Sequence, residues 1–347
     1  MAIIQQTQLA DFFDSAADLA RLLSLDDGLA NLPSSLDPAA RAIFVWNGSQ
    51  LALPLCGGNL VIYLNRACFD RAVANGAEVA LPSAAWTMDE FLAMARSLTR
   101  DFDHDGRTDQ YGLWMPSWVY YLPFIWSFGA DLADPAGRHW AFQGSAAHAA
   151  AGFYRTLAEQ VSPDDAEVVQ LFQDTAFLTG KVAMCVNGPW FQAFLAKTNL
   201  ADSYVVLPIP RGPAGSVTRV AWDGIVMSDN LPPPRRDAAA SFIRYLLSDP
   251  VQSRIAQTGR AIPARLSSRV AFEEGPDRTR RAVFLQALSG SRPQPLFSRF
   301  SEVDRALGRH FDRLRDPGCS ASIAQWLDGL AKDPAIAAVF SEEKGQR

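Results

Sequence analysis

Histidine and cysteine are scarce in this chain, four of each in 347 residues. His104, His139, His148 and His310 are scattered and lack the spacing of metal ligands. Cys56, Cys68, Cys185 and Cys319 form no C-x-x-C pair, so neither a zinc ribbon nor a thioredoxin-type site is suggested. A bridge between Cys56 and Cys68 would need an oxidising compartment and closely placed Cβ atoms. Cys185 falls in mid-strand, where it is expected to act as a small buried hydrophobe. No apolar run is long enough to span a bilayer. Net charge is only −5, with acids and bases mixed along the chain, so nucleic acid is not an expected partner. Catalytic signatures are missing too: there is no G-x-S-x-G, H-E-x-x-H, Walker loop or G-x-G-x-x-G. The flexible Gly212–Ser216 loop lacks the lysine of a phosphate cradle. The chain is therefore not expected to be an enzyme or to hold an organic cofactor. The first residues, Met1 to Gln6, carry no basic stretch, apolar stretch or lipoprotein cysteine, and by themselves would leave the chain in the cytosol.

What is present is a soluble-protein composition, 48% hydrophobic and 20% charged, in a chain long enough for two lobes. Short strands alternate with helices, which argues α/β lobes with mainly parallel sheets. Residues 8–24 carry a helical stripe of Leu9, Phe12, Phe13, Ala16, Leu19 and Leu23. Residues 60–64 form a continuous apolar run expected as a buried strand. Thr87 and Glu90 make a capping box, with Trp86 and Phe91 at the staple positions and Phe91, Ala95 and Leu98 facing inward. Strands are expected at 204–207 and 224–228, with loops at 208–216 and 230–236. A helix capped by Asp237 should bury Ala239, Phe242, Ile243, Leu246 and Leu247, and a second begins at Asp249-Pro250 and ends at Gly259. Two helical segments follow near 300–314 and 320–331, and the polar Ser341–Arg347 tail is expected to fray.

Three local patterns suggest binding. Asp101-Phe-Asp-His-Asp-Gly-Arg-Thr-Asp109 places carboxylates at alternate positions, with Gly106 for the sharp turn. Asp101, Asp103, Asp105, the Arg107 carbonyl and Asp109 could cage a calcium ion in a structural role. Gly112 stands where an EF-hand has its bidentate glutamate, and the alternative is an aspartate-rich turn without metal. Val182-Ala-Met-Cys-Val-Asn-Gly-Pro-Trp190 joins an alternating strand to a tight turn and then presents a tryptophan. The flat face of such a ring can stack on a ligand. Trp118, Tyr120 and Tyr121, just after Pro116, are large aromatics at a loop end, costly to expose unless they bind something. Core packing is the competing role, and the one expected for Phe124 and Trp126.

Leu53-Pro54 leading into Val61-Ile-Tyr-Leu-Asn-Arg66, then Ala85-Trp-Thr-Met-Asp-Glu-Phe91, Asn187-Gly-Pro-Trp190 and Gly259-Arg-Ala-Ile-Pro263, in that order, resemble the solute-binding proteins of bacterial carbohydrate ABC importers, family 1, which includes the maltose-binding proteins. The resemblance enters in mid-fold. It implies that an export signal and a first strand–helix unit would lie upstream, and that the sheet edge they would cover is left open. It implies a type II periplasmic-binding-protein-like fold: two lobes, a hinge and a cleft between them. The N-lobe would comprise 1–65 plus 225–270 and the C-lobe 66–224 plus 271–347. Crossings are expected just after Asn65, near Trp222-Asp-Gly224 and around 266–280. The ligand-binding residues it implies are Asn59, Trp118, Tyr120, Tyr121, Trp190, Trp222, Asp223, Arg260 and Arg299, with Arg265 a further candidate beside Arg260. Asp223 could equally be a turn aspartate. The expected function is capture of a mono- or oligosaccharide by hinge closure and delivery to ABC permease subunits, by a monomer in the periplasm or on the outer face of the membrane. Aromatic richness favours a neutral sugar, without excluding polyols or glycerol phosphodiesters, which related proteins also carry. A calcium-stabilised glycoside hydrolase is the alternative enzyme reading. It needs a facing carboxylate pair, and Asp223, Glu90 and Asp131 are candidates with no spacing that pairs them. A sugar sensor for a chemoreceptor or kinase would use the same binding physics.

Overall fold

The computed structural model describes residues 1–6, 29, 32–46, 49–134, 137–163, 166–227, 231–275, 277–295 and 299–340. The helical stripe at 8–24 and the Ser341–Arg347 tail lie outside them. Eleven strands are described: β1 Ala2–Gln5, β2 Val45–Trp46, β3 Ser49–Gln50, β4 Leu53–Asn59, β5 Val61–Asn65, β6 Tyr111–Leu113, β7 Val182–Asn187, β8 Tyr204–Leu207, β9 Thr218–Val226, β10 Ile262–Pro263 and β11 Ser291–Pro293. The first lobe is built on a sheet ordered β1-β9-β4-β10, with β11 parallel to the start of β9. The second is built on β6-β7-β5-β8, with β6 parallel to β7 and the other pairings antiparallel. Each sheet thus mixes directions, where the alternation alone suggested mainly parallel strands.

Strand β5 is buried at every position, as its unbroken Val-Ile-Tyr-Leu run demands. It belongs to the second sheet, so the chain changes lobe at Leu60, the single residue between β4 and β5, and not after Asn65. The second crossing also falls earlier than expected. Strand β9 already begins at Thr218, and Trp222-Asp-Gly224 is the interior of a first-sheet strand. The third falls later: β11 still pairs with β9, and the chain leaves only between Pro293 and the helix Phe300–Arg315, whose apolar stripe packs into the second-lobe core. The first two passages run side by side, and β11 begins next to them. The Leu60 N–H donates to the Arg219 carbonyl (3.1 Å), the Thr218 hydroxyl donates to the Leu60 carbonyl, and the Thr218 N–H donates to the Gly290 carbonyl (3.3 Å).

The helix Met88–Leu98 starts with both halves of the Thr87/Glu90 capping box, buries Phe91, Ala95 and Leu98, and sets Trp86 edge-on to Phe91 at 5.4 Å. The helix expected from Asp237 begins at Pro233 instead, because prolines at the first helical positions suit a start that needs no N–H donor there. Its buried stripe is Ala240, Ile243 and Leu247. Phe242 lies about a quarter-turn away, 45% exposed and stacked on Tyr245. Helix Asp249–Gln257 takes Ser248 as its N-cap residue, with Asp249 in the first turn, and Gly259 beyond its end has φ +68°. All four cysteines are free: Cys56 sits in the first sheet, Cys68 in the helix Arg66–Ala74 against the second, and Cys185 is fully buried in β7.

Candidate functional site

The two lobes meet across a face of the first sheet that strand periodicity defines. Gly58 in β4 stands opposite Ala221 in β9, and Cys56 opposite Asp223. Side chains alternate along a strand, so Arg219, Ala221 and Asp223 share the face of Gly58. A Cβ on Gly58 would lie 2.7 Å from the Pro189 ring and 3.2 Å from the Trp190 ring. This face therefore looks across at the Asn187–Trp190 turn of the other lobe.

The turn is fixed locally. The Asn187 side-chain carbonyl accepts the Gly188 N–H (2.9 Å), and the Gly188 carbonyl accepts the Tyr63 hydroxyl (2.8 Å). Pro189 opens the helix Pro189–Leu195 at its first position. Trp190 overlies Gly188, where any side chain would strike the indole. Its ring is half-buried and packs against the apolar clusters on both faces of the second sheet, one of which runs on into the first lobe.

Tyr120, half-buried on the helix Trp118–Ser127, faces the same seam. Burial raises its phenol pKa, opposed by the charge of Arg219 and reinforced by that of Asp174. Asp174 is itself raised by burial. Asp223 is half-buried, and burial lifts its pKa while the charge of Arg260, an exposed side chain, draws it back. Burial pushes the neighbouring Cys56 thiol up to about 12, so it is no nucleophile at neutral pH.

The remaining expected residues lie elsewhere. Trp118 is 4% exposed in the second-lobe core, its indole N–H bound to Asp304 (3.0 Å). Tyr121 is fully buried, its hydroxyl on the Ala150 carbonyl (2.8 Å). One helical step of roughly 100° separates Tyr120 at the seam from Tyr121 in the core. Asn59 is sealed, its amide nitrogen donating to the Phe284 carbonyl (2.8 Å), so it ties β4 to the helix Arg278–Leu288. Trp222 points from the opposite face of β9, packs on Gly57 and helps line a cavity of about 350 Å³ with Ile43 and Leu288. Arg299 is exposed, has φ +55° and pairs with Glu302. Arg265 bonds Asp249, Ser35 and the Leu247 carbonyl, a structural clasp. Glu90 serves the capping box and Asp131 pairs with Arg292, which leaves neither free to face Asp223 as half of a catalytic pair.

Sequence reasoning missed Arg219 and Phe172. Arg219 is 7% exposed, and its Nε donates to Gln294 (2.9 Å). Phe172 is 78% exposed with φ +58°, two residues before Asp174. An exposed ring on a backbone that side chains seldom adopt has no signal in hydrophobic periodicity.

The aspartate loop is folded tightly on itself. Asp101 accepts the N–H groups of His104 (2.7 Å) and Gly106 (2.9 Å), Asp105 that of Arg107 (2.8 Å), and Asp109 that of Phe102 (2.8 Å). Oxygens of Asp101, Asp103 and Asp109 lie within 4.8 Å of one another. Desolvation works against the Asp101 carboxylate, but the Gly106 and His104 N–H groups outweigh it and hold its pKa below the ordinary value.

Two α/β lobes joined by three passages, with an aromatic turn facing a sheet at Gly58, define a cleft-type solute-binding protein. Residues 2–279 match the family model described as bacterial extracellular solute-binding protein, and the chain belongs to that family. Among solved structures, the GacH receptor of Streptomyces glaucescens, studied unliganded and with acarbose, superposes with a TM-score of 0.78 at 21% identity, covering 99% of this chain and 84% of that one. An ABC substrate-binding protein of Listeria monocytogenes in complex with cycloalternan gives 0.79 at 16% identity, covering 95% and 83%. UgpB of Mycobacterium tuberculosis in complex with glycerophosphocholine gives 0.73 at 19%, covering 95% and 81%. At such identities these likenesses establish the two-lobe fold. No curated protein matches the chain. No described helix is long and apolar enough to cross a membrane.

Proposed function

We propose that this chain is the substrate-binding component of a carbohydrate ABC importer, acting as a monomer in the periplasm or on the outer face of the membrane. It captures its ligand between the lobes and presents the closed form to the permease subunits. The observation that carries this is Trp190, held half-buried by the Asn187–Pro189 turn against Gly58 of the facing lobe. The bound acarbose and cycloalternan of the similar structures support a carbohydrate as the occupant. Closure would pivot on the adjacent passages at Leu60 and Thr218 and on the third between Pro293 and Phe300, with binding stabilising the closed form by its differential affinity. Thermal unfolding against mono- and oligosaccharides, polyols, amino acids and peptides tests this. A carbohydrate at a roughly hundredfold excess over its Kd should add about 2.7 kcal/mol of stability. Stabilisation by amino acids or peptides with no response to any carbohydrate would overturn the assignment.

The Asp101–Asp109 loop is proposed to hold a structural calcium ion. Asp101, Asp103 and Asp109 already converge, and a cation would relieve the repulsion among them. Calcium should raise Tm over chelator-treated protein, and Asp101→Asn with Asp103→Asn should remove the increment. Equal Tm with calcium and with chelator would refute it.

A further inference from the structure

Among the described residues, Arg219 is a cation without a counter-ion. It sits on the cleft face of β9 with 7% of its surface exposed, and its one side-chain bond to a described residue is from Nε to the neutral amide oxygen of Gln294, itself 3% exposed. No described carboxylate reaches it. The contrast with its neighbour sharpens this: Arg292 stands beside Arg219 in the parallel β11 register, pairs with Asp131 and covers the Trp126 ring at 4.9 Å. One acid serves one arginine, and the more buried of the two goes without.

The Nη groups of Arg219 bond no described residue, yet they are not sealed from solvent. They are left as a donor fork at the seam, close enough to Tyr120 for their charge to act on its phenol. Burial lowers the guanidinium pKa to about 10, so it stays protonated at neutral pH. A buried, unpaired charge is costly to keep unless something binds it, and a guanidinium fork fits the two oxygens of a carboxylate or phosphate. Asp174, the acid that acts on Tyr120, is on the far lobe and makes no ion pair with Arg219.

The geometry points to an oxyanion subsite in the cleft, formed by Arg219 with Gln294 behind it and Tyr120 facing it, so that the transported solute carries a carboxylate or phosphate group. This rests on the cleft-binding reading above and narrows its substrate class from neutral sugars to solutes that carry one oxyanion group, such as a uronate, a sugar phosphate or a glycerol phosphodiester.

The test uses the whole chain and Arg219→Met. Thermal unfolding in acetate, sulfate or phosphate is compared with chloride at equal ionic strength. Oxyanions should stabilise the wild type and not Arg219→Met, and in chloride the variant should unfold at a higher temperature because an unpaired charge is gone. Equal responses of the two proteins to every oxyanion would overturn the subsite. Calorimetry with matched sets (glucose, glucuronate, glucose 6-phosphate, and glycerol against glycerophosphocholine) then separates the sources. A member that carries a carboxylate or phosphate group should bind about tenfold to a hundredfold more tightly than its counterpart without one, a preference lost in Arg219→Met. Preference for the uronate assigns a carboxylate, and preference for a phosphate ester or diester a phosphate. Neutral sugars that bind both proteins equally would end the oxyanion proposal and leave carbohydrate capture standing. Protection by inorganic oxyanions through Arg219 with no response to any sugar or glycerol ester would keep the subsite and end the carbohydrate reading.

Discussion

Tyr121→Ala should destabilise the second lobe by about 3–5 kcal/mol, a Tm fall of roughly 5–15 °C, whereas Tyr120→Ala should leave Tm within about 2 °C and weaken ligand binding instead. Tyr121 stacks on Phe124 at 5.0 Å, meets Tyr154 edge-on at 4.7 Å and closes its hydroxyl on the Ala150 carbonyl. Its removal leaves a ring-sized void among Phe124, Tyr154 and Phe311 and removes a second hydrogen bond to a carbonyl inside the helix Gly144–Val161. Tyr120 has no such enclosure. It is half-buried at the seam, beside Arg219, where a ligand rather than the core would cover it. Differential scanning calorimetry of both variants, with titration of the ligand found for the wild type, separates the two roles. Equal Tm losses would place both rings in the core.

The contrast between these two tyrosines shows where reading the sequence stops. Features set by residues within one turn of each other were legible: the Thr87/Glu90 box, the Trp86–Phe91 contact and the Asn187–Trp190 turn all form where their local chemistry puts them. Features set by which sheet a strand joins were not. Strands β4 and β5 are separated only by Leu60, the first residue of the apolar 60–64 run, so the lobe change there leaves no mark in the pattern. Trp222 resembled a cleft tryptophan, but strand alternation turns it away from Arg219 and onto Gly57. Arg219 carries no local signal of its own. Its burial comes from β11 and Gln294, more than seventy positions later, and from a helix of the other lobe.

Gly58→Leu should abolish ligand capture without unfolding the protein, and Trp190→Ala should weaken it by about thirtyfold or more, the loss expected when a tryptophan at the centre of an interface is truncated. The two act from opposite walls of one gap. At Gly58 the missing side chain lets the first sheet approach Pro189 and Trp190, and even a Cβ would stand 2.7 Å from the Pro189 ring. A leucine there must hold the lobes apart, because the obstacle is a rigid ring at a helix start and not the end of a flexible chain. β4 remains paired with β9 and β10, so the sheet survives. Trp190→Ala removes the stacking face and leaves the approach open. Small-angle scattering distinguishes the outcomes: Gly58→Leu should stay expanded with and without ligand, while Trp190→Ala should still compact at saturating ligand. Because the Pro189 ring persists in Trp190→Ala, adding that change to Gly58→Leu should not restore compaction. Wild-type affinity and scattering in Gly58→Leu would mean that the ligand does not need the lobes to meet at this point, and the cleft between β4 and the Asn187–Trp190 turn would lose its place as the binding site.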